Sequence, residues 1–472
     1  MESTQQSDRE TYRAIVLGQG GNELLLKPAG EGFLLLSVEI PRWQRLAENM
    51  TVAIRNEWGQ EAICLFNPDV SDPVTAPNDH NYQVMECSGP TRPHPGAEWV
   101  PVSSLSERTF ADPADQVAVQ RSLAECRDAG AVALRPFARL GWFRELQGWI
   151  EEVIGPLGFH LAGSFSQLNA SPSFSLVRFE TSGPAVWFKA VGNPNLREFP
   201  ITLTLAQLFP NYLPRILAIH PEWDGWLTRE VDGKVLCEVH EPAPWERSVA
   251  ALAKLQIDSI DQSPRILATG ARDLGAAALS KLIQPFIEIM AQLMERQTKV
   301  SPPVLGRKEL LLLGDRVQGA LDALEALAIP ETLGHLDLNP GNIIVSPSRC
   351  VFLDWAEAYI GNPFLTFQYL LEHLRRTSGE HSADETRVVE SYVAQWRRIA
   401  PRDAIAAGLA LSPLLAVFAY AAGTGMFCDQ ERLPDPQFAG YLRSLARRMS
   451  REAGNWTNRG EKCSTQAIAH QA

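Results

Sequence analysis

Several features that would direct this 472-residue chain to a special environment are absent. Its 7 cysteines are scattered and never spaced as Cys-x-x-Cys, which argues against a structural zinc site and favours a reducing compartment. Positive charge is scarce, and a net charge of −12 argues against nucleic acid as the main partner. The first residues lack the basic-then-apolar order of a signal peptide. We therefore expect a globular protein located in the cytoplasm.

Long hydrophobic runs are also rare, with one exception at residues 404–427. This stretch carries no charged residue, and its length would cross a bilayer. It is, however, rich in Ala and Gly rather than Leu and Ile, and Pro413 stands near its middle. We predict a buried central helix here and no membrane partner.

The amino-terminal part shows short β-like runs around a helical patch at 41–58. This order resembles a Nudix-type domain in outline, but Glu57 is all that remains of the acidic cluster that would hold magnesium. We predict a non-catalytic, Nudix-like α+β domain at 1–105 and a helical linker at 106–134. A functional Nudix-type hydrolase at residues 11–100 is the alternative.

The most specific segment is HLDLNPGN at 335–342, followed by VFLDW at 351–355. The carboxylate of Asp337 can accept the proton of an attacking hydroxyl, while the Asn342 amide oxygen and the Asp354 carboxylate can hold magnesium against phosphates. The apolar runs between them predict a hairpin that brings Asn342 and Asp354 to one end. Ordinary turn formers and a helix cap would explain the same residues without chemistry.

These motifs resemble the aminoglycoside phosphotransferase/choline kinase family, which shares the protein kinase architecture. His-x-Asp-x-x-x-x-Asn matches the family's catalytic loop, and Phe-Leu-Asp-Trp matches its metal motif. The resemblance implies that Asp337 is the catalytic base and that Asn342 and Asp354 bind Mg²⁺. It also implies that His335 supports the loop.

The resemblance implies nucleotide contacts upstream as well. A lysine in the apolar strand at 186–190 would order the phosphates, and a glutamate at the start of the next helix would pair with it. A loop at 167–173, which has no glycine, would cover the phosphates, and a hinge at 226–230 would meet the adenine. The predicted nucleotide-binding residues are Lys189, Glu198, Asn169, Ser171, Leu227 and Arg229.

The expected fold is α+β and bilobal, similar to a protein kinase and preceded by the smaller α+β domain. The small β-rich lobe is predicted at 135–231, the helical large lobe at 232–452, and a disordered tail at 453–472. The resemblance implies transfer of the γ-phosphoryl group of ATP, with Mg²⁺, to a hydroxyl of a small molecule, and the acidic balance favours a cationic acceptor.

Two positions depart from the family pattern. Leu336 replaces a common glycine of the catalytic loop, and Thr366 replaces a supporting aspartate. With the missing loop glycines, these departures favour the alternative of a catalytically silent kinase-fold protein that binds a nucleotide or a partner.

Overall fold

The computed structural model describes residues 9–30, 32–68, 80–107, 110–127 and 135–469. The chain divides into two compact units, the first formed by Met1–Phe199 and Arg215–Glu230 and the second by Pro200–Pro214 and Val231–Ala472. Both units combine helices with sheets, so the predicted α+β class is confirmed.

The first unit begins with a seven-stranded mixed sheet of order β3-β2-β1-β6-β5, in which β4 also pairs with β1 and β7 with β2. Its strands are β1 (Arg9–Leu17), β2 (Glu23–Ala29), β3 (Gly32–Leu34), β4 (Leu36–Pro41), β5 (Ala62–Phe66), β6 (Asn81–Cys87) and β7 (Glu98–Pro101). The sequence alternation in β4 buries Leu36, Val38 and Ile40 on one face. Helix α1 (Leu46–Trp58) covers that face with Met50 and Ile54.

A second sheet in this unit is antiparallel and has the order β11-β12-β10-β9-β8. Its strands are β8 (Leu161–Ser171), β9 (Phe174–Thr181), β10 (Val186–Ala190), β11 (Ile216–Ile219) and β12 (Gly225–Arg229). Both sheets contribute to one core, in which Ile15 and Val84 belong to the first sheet, Phe179 and Phe188 belong to the second, and Trp142 is fully buried.

Helices α2 (Pro113–Arg127) and α3 (Trp142–Ile154) belong to the same core. Helix α2 lies within the predicted helical linker at 106–134, and it buries Ala118 and Val119 in this core. Residues 108–109 and 128–134 of that prediction lie outside the described residues.

The second unit is mainly helical. Helix α4 (Glu198–Leu208) starts in the first unit and continues into the second. The remaining helices are α5 (Pro242–Asp258), α6 (Ser263–Leu267), α7 (Ala276–Glu295), α8 (Arg307–Ala326), α9 (Pro363–Ser378), α10 (Ala383–Trp396), α11 (Arg402–Gly423) and α12 (Pro436–Ala469).

Two three-stranded sheets, β13-β16-β17 and β14-β18-β15, complete this unit. Their strands are β13 (Lys234–Val235), β14 (Arg272–Leu274), β15 (Thr332–His335), β16 (Ile343–Val345), β17 (Cys350–Phe352) and β18 (Ala358–Gly361).

Helix α11 contains residues 404–423 of the long apolar run. Its length and a mean hydropathy of 2.0 over 18 residues would allow it to cross a membrane. Yet 56% of those 18 residues are buried inside the protein. Leu414, Leu415 and Phe418 lie in the same core as Phe286 of α7. The prediction of a buried central helix is confirmed.

The carboxyl-terminal part differs from its prediction. The sequence predicts disorder over 453–472, whereas α12 continues to Ala469. Ala453 is fully buried, and Trp456 packs against the core of the second unit. Residues 470–472 lie outside the described part of the chain.

Candidate active site

The segment that carries the predicted catalytic residues starts at the end of β15, which pairs antiparallel with β18. Gly334 is required at this point because a Cβ atom there would lie 2.1 Å from the ring of Tyr359. With glycine, the Tyr359 ring can lie directly against the strand. The close packing fixes the point at which the chain leaves β15 for the loop.

His335 ties this loop to the strand that precedes Asp354. Its Nδ1 accepts the backbone N–H of Asp337 at 3.0 Å, and its Nε2 lies 3.2 Å from the carbonyl oxygen of Leu353. Since Nδ1 accepts, the ring proton belongs on Nε2, which donates to that carbonyl. Burial lowers the pKa of His335, so the neutral imidazole is the stable form. This is the geometry of a structural support.

One of the two carboxylate oxygens of Asp337 is hydrogen-bonded to neighbouring side chains. Its Oδ1 accepts the hydroxyl of Tyr369 at 2.9 Å and Nδ2 of Asn339 at 3.3 Å. Among the described residues, no donor bonds to Oδ2. The side chain is half-buried, and this second oxygen is the one that the described part of the protein leaves without a hydrogen bond.

Asn342 and Asp354 lie at one end of the hairpin formed by β16 and β17. The backbone N–H of Leu353 donates to the carbonyl of Asn342 at 2.9 Å, which extends the ladder to this end. Nδ2 of Asn342 donates to the carbonyl of Asp337 at 3.0 Å, so its amide oxygen faces away from that group. The sequence-predicted hairpin therefore brings the two side chains to the same end.

The backbone of Asp354 has a φ of 63° and a ψ of 63°, in the left-handed region that costs energy for a residue with a side chain. Its side chain is exposed. Among the described residues, no group of three or more His, Cys, Asp or Glu side chains could hold a metal by itself. One carboxylate and one amide oxygen do fit Mg²⁺, which is commonly held by one or two carboxylates with phosphates and water as its other ligands.

Both departures from the family pattern are accommodated. The Thr366 hydroxyl accepts the backbone N–H of His335 at 2.8 Å and lies 2.9 Å from the hydroxyl of Tyr359. All three residues are almost completely buried. Leu336 is only 4% exposed and packs into the apolar core of this unit. No pattern in the sequence indicates this use of Thr366, which lies 31 residues after His335.

In the first unit, Nζ of Lys189 lies 2.5 Å from Oε1 of Glu198, whose side chain is 2% exposed. Lys189 is paired across the sheet with Leu176 on one side and Trp226 on the other, and Leu176 is paired with Asn169. Because directly paired residues share a face, these four side chains form a row on one face of the sheet. Asn169 and Lys189, both predicted nucleotide ligands, thus lie on the same face.

The predicted phosphate-covering loop is mostly strand. Residues 167–171 belong to β8, and only Pro172 and Ser173 connect it to β9. Gln167 is fully buried, where its amide group donates to the Cys64 carbonyl at 3.0 Å and accepts the Cys64 N–H at 2.7 Å. The Ser171 hydroxyl accepts the backbone N–H of Phe174 at 3.0 Å, so it stabilises the tight turn.

The predicted hinge residues Leu227 and Arg229 lie on the other side of the sheet. Leu227 is fully buried and is paired with Phe188, which belongs to the core. Since Leu227 and Arg229 are two residues apart, their side chains point away from the face that carries Lys189. Trp226 and Thr228 are the residues of β12 on that face. They follow from strand alternation only once the pairing of Lys189 with Trp226 is known.

Comparison with known proteins gives one family. Residues 214–402 match the model of the phosphotransferase enzyme family, and the matched range includes the catalytic-loop segment and Asp354. For this part of the chain, the match confirms the predicted resemblance to the aminoglycoside phosphotransferase/choline kinase family. It does not reach the amino-terminal sheet, where the likeness to a Nudix domain stays a prediction. No curated relative matches the chain in sequence.

Solved structures of phosphotransferases and kinases are also similar. The macrolide 2′-phosphotransferase from Brachybacterium faecium is 16% identical, with 63% of this chain and 97% of that chain covered and a TM-score of 0.42. The ethanolamine kinase from Plasmodium vivax is 13% identical, with 61% and 81% covered and a TM-score of 0.43. The choline kinase from Cryptosporidium parvum is 10% identical, with 69% and 97% covered and a TM-score of 0.44. At these low identities and TM-scores, the likeness assigns no function.

Proposed function

We propose that this protein is an ATP-dependent phosphotransferase that transfers the γ-phosphoryl group to a hydroxyl of a small molecule. The observation that carries the proposal is the arrangement around Asp337. Its Oδ1 is held by two protein donors and Oδ2 is left open, while Asn342 and Asp354 lie together at the end of the adjoining hairpin. The family match over residues 214–402 supports it.

The transfer is a direct displacement. As the acceptor oxygen bonds to the γ-phosphorus, the bond to the β–γ bridging oxygen breaks, and the acceptor proton passes to Oδ2 of Asp337. Asn342 and Asp354 would hold Mg²⁺, which when bound supplies positive charge against the phosphate oxygens. No covalent intermediate with the protein is required.

Lys189 is proposed to contact the α- and β-phosphates of ATP. Its ammonium group is held by Glu198, so its position is fixed before any nucleotide binds. Asn169 lies on the same sheet face as Lys189. Of the two predicted loop ligands, we favour Asn169 over Ser171, because the Ser171 hydroxyl is already hydrogen-bonded to the backbone of the turn. The hinge at 226–230, which includes Leu227 and Arg229, is proposed to meet the adenine through its backbone, a contact that does not depend on where those two side chains point.

The acceptor is proposed to be a small hydroxyl compound, with a cation favoured by the net charge of −12. The similar structures are named for macrolides, ethanolamine and choline, which are therefore among the acceptors to test. We expect neither nucleic acid nor a membrane as partner, and a cytoplasmic location.

A catalytically silent protein was the alternative. Its main support was the pair of departures at Leu336 and Thr366. The hydroxyl of Thr366 accepts a loop N–H, and Leu336 fills an apolar core, so neither position leaves the loop unsupported. We therefore favour the active enzyme.

The test combines nucleotide binding with a phosphotransfer screen. Thermal shift with ATP is measured with and without Mg²⁺, and labelled γ-phosphate is followed onto macrolides, aminoglycosides, choline and ethanolamine. Asp337→Ala should abolish transfer, whereas Asp315→Ala, at an exposed position of α8, should not. Absence of Mg²⁺-dependent ATP binding by the wild type would refute the proposal.

A further inference from the structure

Tyr369 of α9 makes the shortest hydrogen bond to the Asp337 carboxylate. Its hydroxyl donates to Oδ1 at 2.9 Å, while Asn339 donates to the same oxygen at 3.3 Å. Both bonds converge on one oxygen, so the carboxylate cannot rotate without losing them. Tyr369 lies 32 residues after Asp337 and forms no part of the sequence motif.

The ring of Tyr369 is itself held in place. It lies nearly parallel to the ring of Tyr420 from α11, with centroids 6.1 Å apart and an interplanar angle of 23°. On its own helix, the ring of His373 is 5.1 Å away. Burial raises the pKa of Tyr369 and the Asp337 charge adds to that effect, so the hydroxyl keeps its proton and acts as a donor. A rigid donor therefore faces the carboxylate.

We propose that Tyr369 is a positioning residue for phosphoryl transfer. By engaging Oδ1, its hydroxyl determines that Oδ2 is the oxygen that receives the acceptor proton. A neutral hydroxyl suits this task because it orients the carboxylate without cancelling the negative charge that a base needs. The inference rests on the proposed role of Asp337 as base.

The variant that tests it is Tyr369→Phe, which keeps the ring and its stacking and removes only the hydroxyl. Tyr12→Phe is the matched control, because the Tyr12 hydroxyl also bonds to a carboxylate, that of Glu10 at 3.3 Å, in the first unit. MgATP hydrolysis, with water as acceptor, gives kcat and KM for both variants. Crystal structures of the wild type and of Tyr369→Phe give the orientation of the Asp337 carboxylate.

For Tyr369→Phe we expect kcat to fall about 10- to 100-fold with KM for MgATP almost unchanged, because a misdirected base affects the transfer step and not nucleotide binding. The Asp337 carboxylate should also turn or adopt two orientations. Tyr12→Phe should match the wild type.

An unchanged kcat, a fall in kcat with the carboxylate still in place, or a rise in KM alone would each overturn the inference. If the wild type shows neither Mg²⁺-dependent ATP binding nor MgATP hydrolysis, the proposed function fails instead. In that case the two crystal structures still show, without any activity measurement, whether Tyr369 holds the Asp337 carboxylate in position.

Discussion

Replacing Thr366 by valine should weaken the second unit and slow the reaction together. Valine has nearly the same shape, but it removes the oxygen that accepts the His335 N–H at 2.8 Å. The Tyr359 hydroxyl loses its partner at 2.9 Å and keeps only a longer contact of 3.4 Å with the Asn362 carbonyl. Each buried polar group left unpaired costs about 1–3 kcal/mol. We expect a total loss of about 2–4 kcal/mol in the free energy of unfolding.

Equilibrium urea denaturation and MgATP turnover provide the assay. Thr366→Ser keeps the oxygen and should retain most of the stability. Thr386→Val, at an exposed position of α10 where the hydroxyl bonds only to a helix carbonyl, should change the free energy of unfolding by less than about 0.5 kcal/mol. If Thr366→Val were as stable and as active as Thr366→Ser, the hydrogen bond to His335 would not support the loop, and this reasoning would be refuted.

Three further predictions concern the first unit. Lys189→Met should lower kcat/KM for MgATP by about 100-fold and Glu198→Gln by less, because only the lysine would contact phosphate; wild-type kinetics in both would contradict this. Gln167→Leu leaves a buried backbone N–H and C=O unpaired, so urea denaturation should show a loss of about 2–4 kcal/mol, and an unaltered midpoint would disprove it. Arg178 lowers the pKa of Glu230 below its ordinary value of 4.5, so this pair stabilises the fold above that pH and the benefit is lost as the pH falls below it. Glu230→Gln should flatten this part of the stability–pH curve, and an identical curve would argue against the pair.

The arrangement around Asp337 could be predicted because it is local in sequence. The Pro340-Gly341 turn and the two apolar runs that follow, at 343–345 and 351–353, form a hairpin by themselves, and these runs agree with β16 and β17 within one residue at each end. Asn342 comes just before the first strand of this hairpin and Asp354 just after the second. The hairpin alone therefore predicts that the two residues are neighbours.

What supports that arrangement could not be read from local sequence. Thr366 lies about one turn, and Tyr369 about two turns, after the start of α9. Only the packing of this helix brings the two side chains to the catalytic loop. Likewise, Gln167 looks like a polar loop residue, and its burial depends on hydrogen bonds to Cys64 in β5, the last strand of the first sheet, about a hundred residues earlier in the chain. Such contacts depend on tertiary structure, which periodicity and turn signals do not contain.

The carboxyl-terminal prediction failed for another reason. Residues after Gly454 are polar, and a polar chain end is typical of disorder. The segment has no proline to end a helix, and it continues from turns of α12 that are anchored by Met449 and Ala453 in the core. A polar helix end joined to a packed helix extends by propagation.

The most direct test of the central claim is transfer of the γ-phosphoryl group by wild type and Asp337→Asn, measured in parallel with Mg²⁺-dependent ATP binding. The asparagine keeps the shape of the side chain and an oxygen for Tyr369, but it cannot accept the acceptor proton. We predict that Asp337→Asn binds MgATP as the wild type does and that its transfer rate falls by at least about 100-fold. Transfer at the wild-type rate by Asp337→Asn would contradict the account.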